Sequence, residues 1–263
     1  GMLGVPTGFS ELDAMTNGFA GGQMIIIAAR PAMGKSTLAL DVARNASVHA
    51  GATTVFFSLE MGRAEIAMRL LAAEATIPMQ TLRKGALDNR DFQKLAATQA
   101  RIAEAPLFID DSPNLTLVEI RAKCRRLKQQ HGLKMVVIDY LQLLSSGKKS
   151  ESRQQEVSEF SRALKLLSKE IDVPVIALSQ LNRASEQRAD KMPAISDLRE
   201  SGSLEQDADM VILLHREAVG DRDSPRAGEA DFILAKQRNG PTGTVTVAFQ
   251  GHYSRFQDMP QGV

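Results

Sequence analysis

Met24-Ile25-Ile26-Ile27-Ala28-Ala29-Arg30-Pro31-Ala32-Met33-Gly34-Lys35-Ser36-Thr37-Leu38 runs from an apolar strand, through a short turn, into a helical stretch that extends to Ala50. Set against the phosphate-loop pattern G-x-x-x-x-G-K-[ST], it departs at one position, because Ala29 stands where the first glycine belongs. The physics survives that change. A chain turning into a helix N-terminus presents successive backbone N–H groups to an anion, and the helix dipole favours negative charge there. Gly34 allows close approach of the backbone. Lys35 is placed to reach the β- and γ-phosphates of a nucleoside triphosphate, and Ser36 to take one position on Mg²⁺. Thr37 is a weaker phosphate contact, and Arg30, Pro31, Ala32 and Met33 form the turn. An ordinary strand-to-helix turn with an exposed lysine is the plainer alternative.

Outward from this loop, short runs rich in Val, Ile and Phe alternate with longer helical patterns, which predicts an α/β fold with a parallel sheet covered on both faces. Strands are expected at Met24–Ala28, Thr53–Ser58, Leu107–Ile109, Met135–Asp139, Val173–Ser179 and Met210–His215, as continuous apolar runs. Helices are expected at Arg63–Ala75, Asn89–Ala103, Leu117–Gln130 and Gln155–Glu170, with a capping box from Thr116 and Glu119. From Ala230 onward, Asp231–Ala235, Thr244–Phe249 and Tyr253–Gln257 read as antiparallel edge strands.

The 263 residues contain no long charge run or low-complexity stretch, so residues 1–263 are expected to form one domain. Lys plus Arg is 32 against 31 for Asp plus Glu, so nucleic-acid affinity must come from local placement of charge. The single cysteine, Cys124, excludes an internal disulfide and reads as packing or surface. The four histidines lack metal-ligand spacing, and neither a signal peptide nor a membrane-length apolar run is present, which predicts a cytosolic protein.

Hydrolysis of a bound nucleotide needs a second hold on the metal, a group that positions water and a cation for the transition state. Asp139 ends an apolar strand expected beside the phosphate-loop strand, which would bring its carboxylate to the Mg²⁺ shell. Capping of the next turn is the alternative role. Glu60 lies just past Ser58 at the same sheet edge, where a catalytic base belongs, although a solvated acid opening the following helix fits too. Gln180 ends a third strand, where its amide could sense a γ-phosphate or simply be a polar strand end. Lys236 and Arg238, two apart, share a face of an edge strand, as transition-state cations or as charges that discourage aggregation.

The ordered set Thr7-Gly8, Leu12-Asp13, Gly18, Gly21-Gly22, the loop from Ala28 to Thr37, Ser58-Leu59-Glu60-Met61, Val137 to Leu143 and Leu178 to Arg183 resembles the RecA-like ATPase domain of the DnaB family of hexameric replicative helicases. So do Asp197 to Asp209 and Ala235 to Gly243, and the likeness covers nearly the whole chain. It implies a ring of six copies holding ATP and Mg²⁺ between neighbours, single-stranded DNA in the centre, primase and a helicase loader as partners, and no membrane. Carried onto matching residues, it makes Lys35 and Ser36 the phosphate and Mg²⁺ contacts, Asp139 a metal support, Glu60 the base and Gln180 the coupling residue. Arg238 becomes a finger entering the next subunit, with Lys236 beside it, and Arg199, Glu200 and Gly202 grip the DNA backbone. It further implies 5′–3′ translocation, and an N-terminal domain and linker helix that are expected to be absent here, so weak, concentration-dependent assembly is expected.

With two tyrosines and no tryptophan, a base-stacking platform is not expected, and backbone contact predicts little sequence preference with strong salt dependence. Lys148, Lys149 and Arg153 form a second candidate DNA loop. A RadA-type recombination ATPase is the nearest rival, but its zinc-binding cysteines and its Lys-Asn-Arg-Phe-Gly type motif are missing. A phosphotransferase and a non-catalytic DNA-binding module that uses nucleotide as an assembly switch are rivals from other classes.

Overall fold

The structure is a computed structural model that describes residues 2–144, 153–201 and 203–260, with side chains described except at 153, 154 and 199–201. Its elements in chain order begin with α1 (Ser10–Thr16), β1 (Met24–Ala29), α2 (Lys35–Arg44), β2 (Thr54–Ser58), α3 (Arg63–Ala75), α4 (Met79–Lys84) and α5 (Asn89–Glu104). Then follow β3 (Leu107–Asp110), α6 (Leu117–His131), β4 (Met135–Asp139), α7 (Arg153–Ile171), β5 (Val175–Gln180), α8 (Ala184–Gln187) and α9 (Leu204–Asp207). The chain closes with β6 (Met210–His215), β7 (Glu229–Gln237), β8 (Gly243–Gln250) and β9 (Arg255–Asp258). All the strands belong to one sheet of order β3-β2-β4-β5-β1-β6-β7-β8-β9, parallel through β6 and antiparallel beyond it.

The continuous apolar strands are explained by burial on both faces. Along β1, Ile25, Ile27 and Ala29 pack with Leu38, Val42 and Phe232, while Met24, Ile26 and Ala28 pack with Cys124, Phe160 and Leu164. Each fully buried Ile contributes roughly 1.5–3 kcal/mol of transfer free energy, so a polar residue on either face would be costly. Burial also settles Cys124, whose thiol is pushed up to about 12 and is therefore inert packing.

The first-choice neighbour of β1 is corrected by this topology. β4 does not lie beside β1, because β5 sits between them and pairs with both. Local differences have local causes. β5 starts at Val175 because Pro174 has no N–H to give the ladder. β9 starts at Arg255 because Gly251–Tyr253 makes a 3₁₀ turn and Ser254 takes φ of 53°. The helix after the loop ends at Arg44 and loosens into a π-helical turn over Asn45–His49, where the Asn45 amide donates to the Thr7 carbonyl. Thr116 accepts from the Glu119 N–H as a cap, but the Glu119 carboxylate bonds the Thr116 hydroxyl, so the pair is not a reciprocal box. Asp88 and Asp91 form that box instead, at the start of α5. Thr7, Gly8 and Asp13 turn out to be structural: the Asp13 carboxylate accepts from the Thr7 N–H, the Thr7 hydroxyl and the Gly8 N–H, which closes the entry to α1.

A candidate nucleotide site shared between opposite sheet edges

The loop between β1 and α2 is shaped by residues with positive φ: Ala32 at 69° and Gly34 at 101°. Gly34 is required twice over, since a Cβ there would also lie 2.8 Å from the Phe256 ring. α2 begins at Lys35 with no acidic residue of its own in the first turn, and its unsatisfied N–H groups face a cleft of about 260 Å³. Pro31, Ala32, Gly34, Lys35, Ser36 and Thr37 all line that cleft. Arg30 lines it too, but its guanidinium turns away to the Leu181 carbonyl at 2.7 Å and to Glu186 at 3.0 Å. Met33 faces β6, where its sulfur accepts the Arg216 N–H at 3.3 Å.

Three strand ends deliver the acidic and amide groups. β2 and β4 are paired so that Ser58 is opposite Asp139, and the Leu59 N–H donates to the Asp139 carbonyl. Asp139 therefore comes beside Lys35, which lines the cleft, although β5 separates its strand from β1. Lys35 Nζ stands 3.5 Å from Asp139 Oδ1 and 3.9 Å from Glu60 Oε2, with the Tyr140 ring 3.8 Å beneath it. The Ser36 hydroxyl donates to Glu60 at 3.4 Å. Glu60 is half exposed, and the helix that follows it is served by a different acid, because Asp111 accepts the Arg63 N–H. Asp139 is fully buried and points one oxygen at Lys35, while its other oxygen has no hydrogen-bond partner among the described residues. A buried, orphaned carboxylate oxygen on the residue that pairs with Lys35, with the Ser36 hydroxyl on the adjoining cleft, fits a hydrated divalent cation.

Gln180 lines the same cleft at the end of β5. Gln142 holds it in place: its amide donates to the Ser179 hydroxyl and the Gln180 carbonyl and accepts from the Gln180 N–H. Sequence reading gave no role to Tyr140 and Gln142, though both lie in the Val137–Leu143 motif, and missed Arg69 and the pair Arg216–Phe249. In that pair the guanidinium lies 3.8 Å above the ring, beside the loop, where Arg216 also donates to the Ala32 carbonyl. The two are 33 positions apart, so only the pairing of β6, β7 and β8 brings them together.

Lys236 and Arg238 lie at the other edge of the sheet. Gln237 is opposite Met210, which is opposite Ile25, and the Arg238 N–H donates to the Asp209 carbonyl, itself one residue before β6. The full length of β1 therefore separates Arg238 from the phosphate loop of its own chain, about 16 Å at ~3.3 Å per residue. Both cations face the same way, Lys236 to the Glu205 carbonyl and Arg238 to the Gln206 carbonyl and Asp209. Burial and the neighbouring Arg238 lower the Lys236 pKa. Arg199 and Glu200 lie in a 3₁₀ segment over Ile195–Ser201, but their side chains, Gly202 and the Lys148–Lys149 loop fall outside what is described, as does the side chain of Arg153. No cluster of metal-binding His, Cys, Asp and Glu is found among the described residues, nor a helix long and apolar enough to cross a membrane.

Fold and loop together define a phosphate-loop nucleotide-binding domain of the RecA-like α/β type. The sequence profile of the DnaB-like helicase C terminal domain matches residues 4–258, and the chain belongs to that family. It is 74% identical over 258 residues to the replicative DNA helicase DnaB of Leifsonia xyli subsp. xyli, covering 98% of this chain and 56% of that protein. It is 51% identical to the DnaB of Geobacillus stearothermophilus, over 98% of this chain and 57% of that one. The chain thus spans about half the length of the curated relatives it matches. Among solved structures, one ATPase domain superposes with a TM-score of 0.94 at 41% identity, over 98% of this chain and 92% of that one. A DnaB-like replicative helicase, described with its interactions with primase, gives the same score and identity over 98% of this chain and 62% of that chain. The RadA-type alternative is set aside by this family membership.

Proposed function

We propose that this chain is the motor domain of a cytosolic replicative DNA helicase that hydrolyses ATP between neighbouring copies in a hexamer and moves along single-stranded DNA in the 5′–3′ direction. One observation carries the reading: a phosphate cradle with carboxylates at one sheet edge, and two cations at the opposite edge that can serve only another chain's cradle. In this reading the loop from Arg30 to Thr37 binds the triphosphate, and the Arg216–Phe249 stack gives the base a flat platform. Ser36 and Asp139 would hold Mg²⁺, which neutralises charge on the phosphate oxygens when bound. Glu60 takes a proton from the attacking water, Gln180 senses the γ-phosphate, and Lys35 binds the β- and γ-phosphates. Arg238, with Lys236 beside it, stabilises the transition state in the next subunit. Arg199, Glu200 and Gly202 contact the DNA backbone, so binding is expected to be weakly sequence-selective and strongly salt-dependent. Primase and a loader are the expected protein partners.

The test is the ATP hydrolysis rate per chain as protein concentration rises, with and without single-stranded DNA. A rate that climbs with concentration and with DNA supports a shared site. A constant rate that ignores DNA would overturn it in favour of a self-contained phosphotransferase.

A further inference from the structure

We infer that Asp209 is the positioning residue that aims Arg238 at the neighbouring subunit, an inference that rests on the shared-site reading above. Asp209 is anchored independently of the arginine. Its Oδ2 accepts from Lys165 Nζ at 2.6 Å and from the Met24 N–H at 2.8 Å, and its own N–H donates to the Met24 carbonyl at 2.8 Å. Lys165 is in turn held by the Gly22 carbonyl at 2.7 Å. These contacts leave Oδ1 facing outward, and there Arg238 Nη1 donates to it at 3.2 Å. The side chain of Asp209 is 14% exposed and that of Arg238 is 42% exposed, so a fixed carboxylate meets a long side chain that would have many rotamers open to it without such contacts.

The rest of the setting fits the same role. Arg238 Nη2 donates to the Gln206 carbonyl at 2.5 Å and Lys236 Nζ to the Glu205 carbonyl at 2.5 Å, so α9 holds the second prong of Arg238 and the ammonium of Lys236. α9 is itself tied to α7, because the Asp207 carboxylate accepts from the Ser161 and Ser203 hydroxyls. An ion pair this exposed contributes little to folding. Its effect is on direction: a planar guanidinium gripped at two points presents its remaining N–H donors along one line. A misplaced catalytic cation loses most of its benefit, since a displacement near 1 Å costs on the order of 100-fold in rate.

Asp209→Asn keeps the shape and an acceptor for the Met24 N–H while removing the charge that holds Arg238 and also pairs with Lys165, so its thermal unfolding is measured alongside. Its kcat for ATP is expected to fall about 10- to 100-fold with KM changed less than about 3-fold, because its own phosphate cradle is untouched. A defect delivered to the neighbour is separated from a defect in cis by mixing chains. Lys35→Ala has a dead cradle and an intact Arg238, whereas Asp209→Asn has an intact cradle and a misdirected Arg238. Each is mixed in equal amounts with the other at low concentration, then concentrated until the rate per chain is constant. The mixture is expected to regain about a quarter of the wild-type rate, since half the cradles are live and half of those meet an intact arginine. Arg238→Ala mixed with Lys35→Ala is the control. If that control recovers activity while Asp209→Asn does not, or if Asp209→Asn alone matches wild type, Asp209 does not position Arg238 and the shared site stands. If the control itself fails to recover, the shared-site reading is lost first. Asp209→Glu, which retains the charge but moves it by one methylene, is run alongside with thermal unfolding; recovery on mixing with Lys35→Ala is expected from it too, even where Asp209→Asn folds poorly.

Discussion

Replacing Gly34 with alanine perturbs the loop through two separate terms. The first is backbone: φ at this position is 101°, a region that costs an L-residue about 1–3 kcal/mol. The second is packing, because the new Cβ would stand 2.8 Å from Phe256 Cζ and 3.2 Å from its Cε2. Phe256 has little room to yield, being 2% exposed and wedged against Phe232 and Phe249 at ring separations of 5.5 and 4.9 Å. Overpacking of that kind adds roughly 1–3 kcal/mol. Gly34→Ala is therefore expected to lose about 2–6 kcal/mol in urea denaturation, and roughly 5–20 °C in Tm for a domain of this size. A double-mutant cycle with Phe256→Leu separates the terms: without the ring edge, the Gly34→Ala cost should drop by about 1–3 kcal/mol and leave the backbone part. A loss below about 1 kcal/mol would refute the strain estimate, and a coupling of zero would refute the clash.

Three further outcomes are expected. Glu60→Gln should lower kcat about 100- to 10,000-fold while ATP affinity stays within a few-fold, and turnover within about 3-fold of wild type would remove Glu60 as the base. Arg216→Ala should weaken ATP binding several-fold yet leave tripolyphosphate binding unchanged, measured by calorimetry; equal losses for both ligands would place the residue on the phosphates and not on the base. Burial raises the Asp41 pKa to about 6 against the partial offset of Arg44, so the folded state binds the extra proton between roughly pH 4 and 6. Its contribution then falls as pH rises through that window, and Asp41→Asn should gain stability relative to wild type from pH 4 to 6.5. A stability difference that does not change with pH across that range would contradict this.

The strands were readable because each had to be apolar on both faces, as Met24 to Ala29 and Met135 to Asp139 show. Their order was not, since insertion of β5 between β1 and β4 is a long-range choice that leaves no mark on either strand's composition. Lys35 and Ser36 could be named from the loop pattern and Glu60, Asp139 and Gln180 from strand ends; four of them line one cleft and Asp139 stands behind it against Lys35. The opposite-edge position of Arg238 depends on β7 running back along β6, which the Lys236–Arg238 spacing does not encode. Short elements escaped for a different reason. α1 is capped at Phe9 without a side-chain bond, and α8 and α9 span four residues each, too few for a periodic pattern.

If Arg238 serves a neighbour's cradle as proposed, the separation of cradle and cation across a single sheet also fixes how activity scales with assembly. In that reading donor and acceptor surfaces differ, and copies that repeat the contact in one direction join head to tail. A linear row always ends in one cradle without a cation and one cation without a cradle. Two copies thus make one working site, and six in an open arc make five. Closing the arc adds only the sixth, which makes the gain in rate on closure small and the loss of both free ends complete. In the proposed ring, an interruption would cost one site in six and open a way in for a strand of DNA.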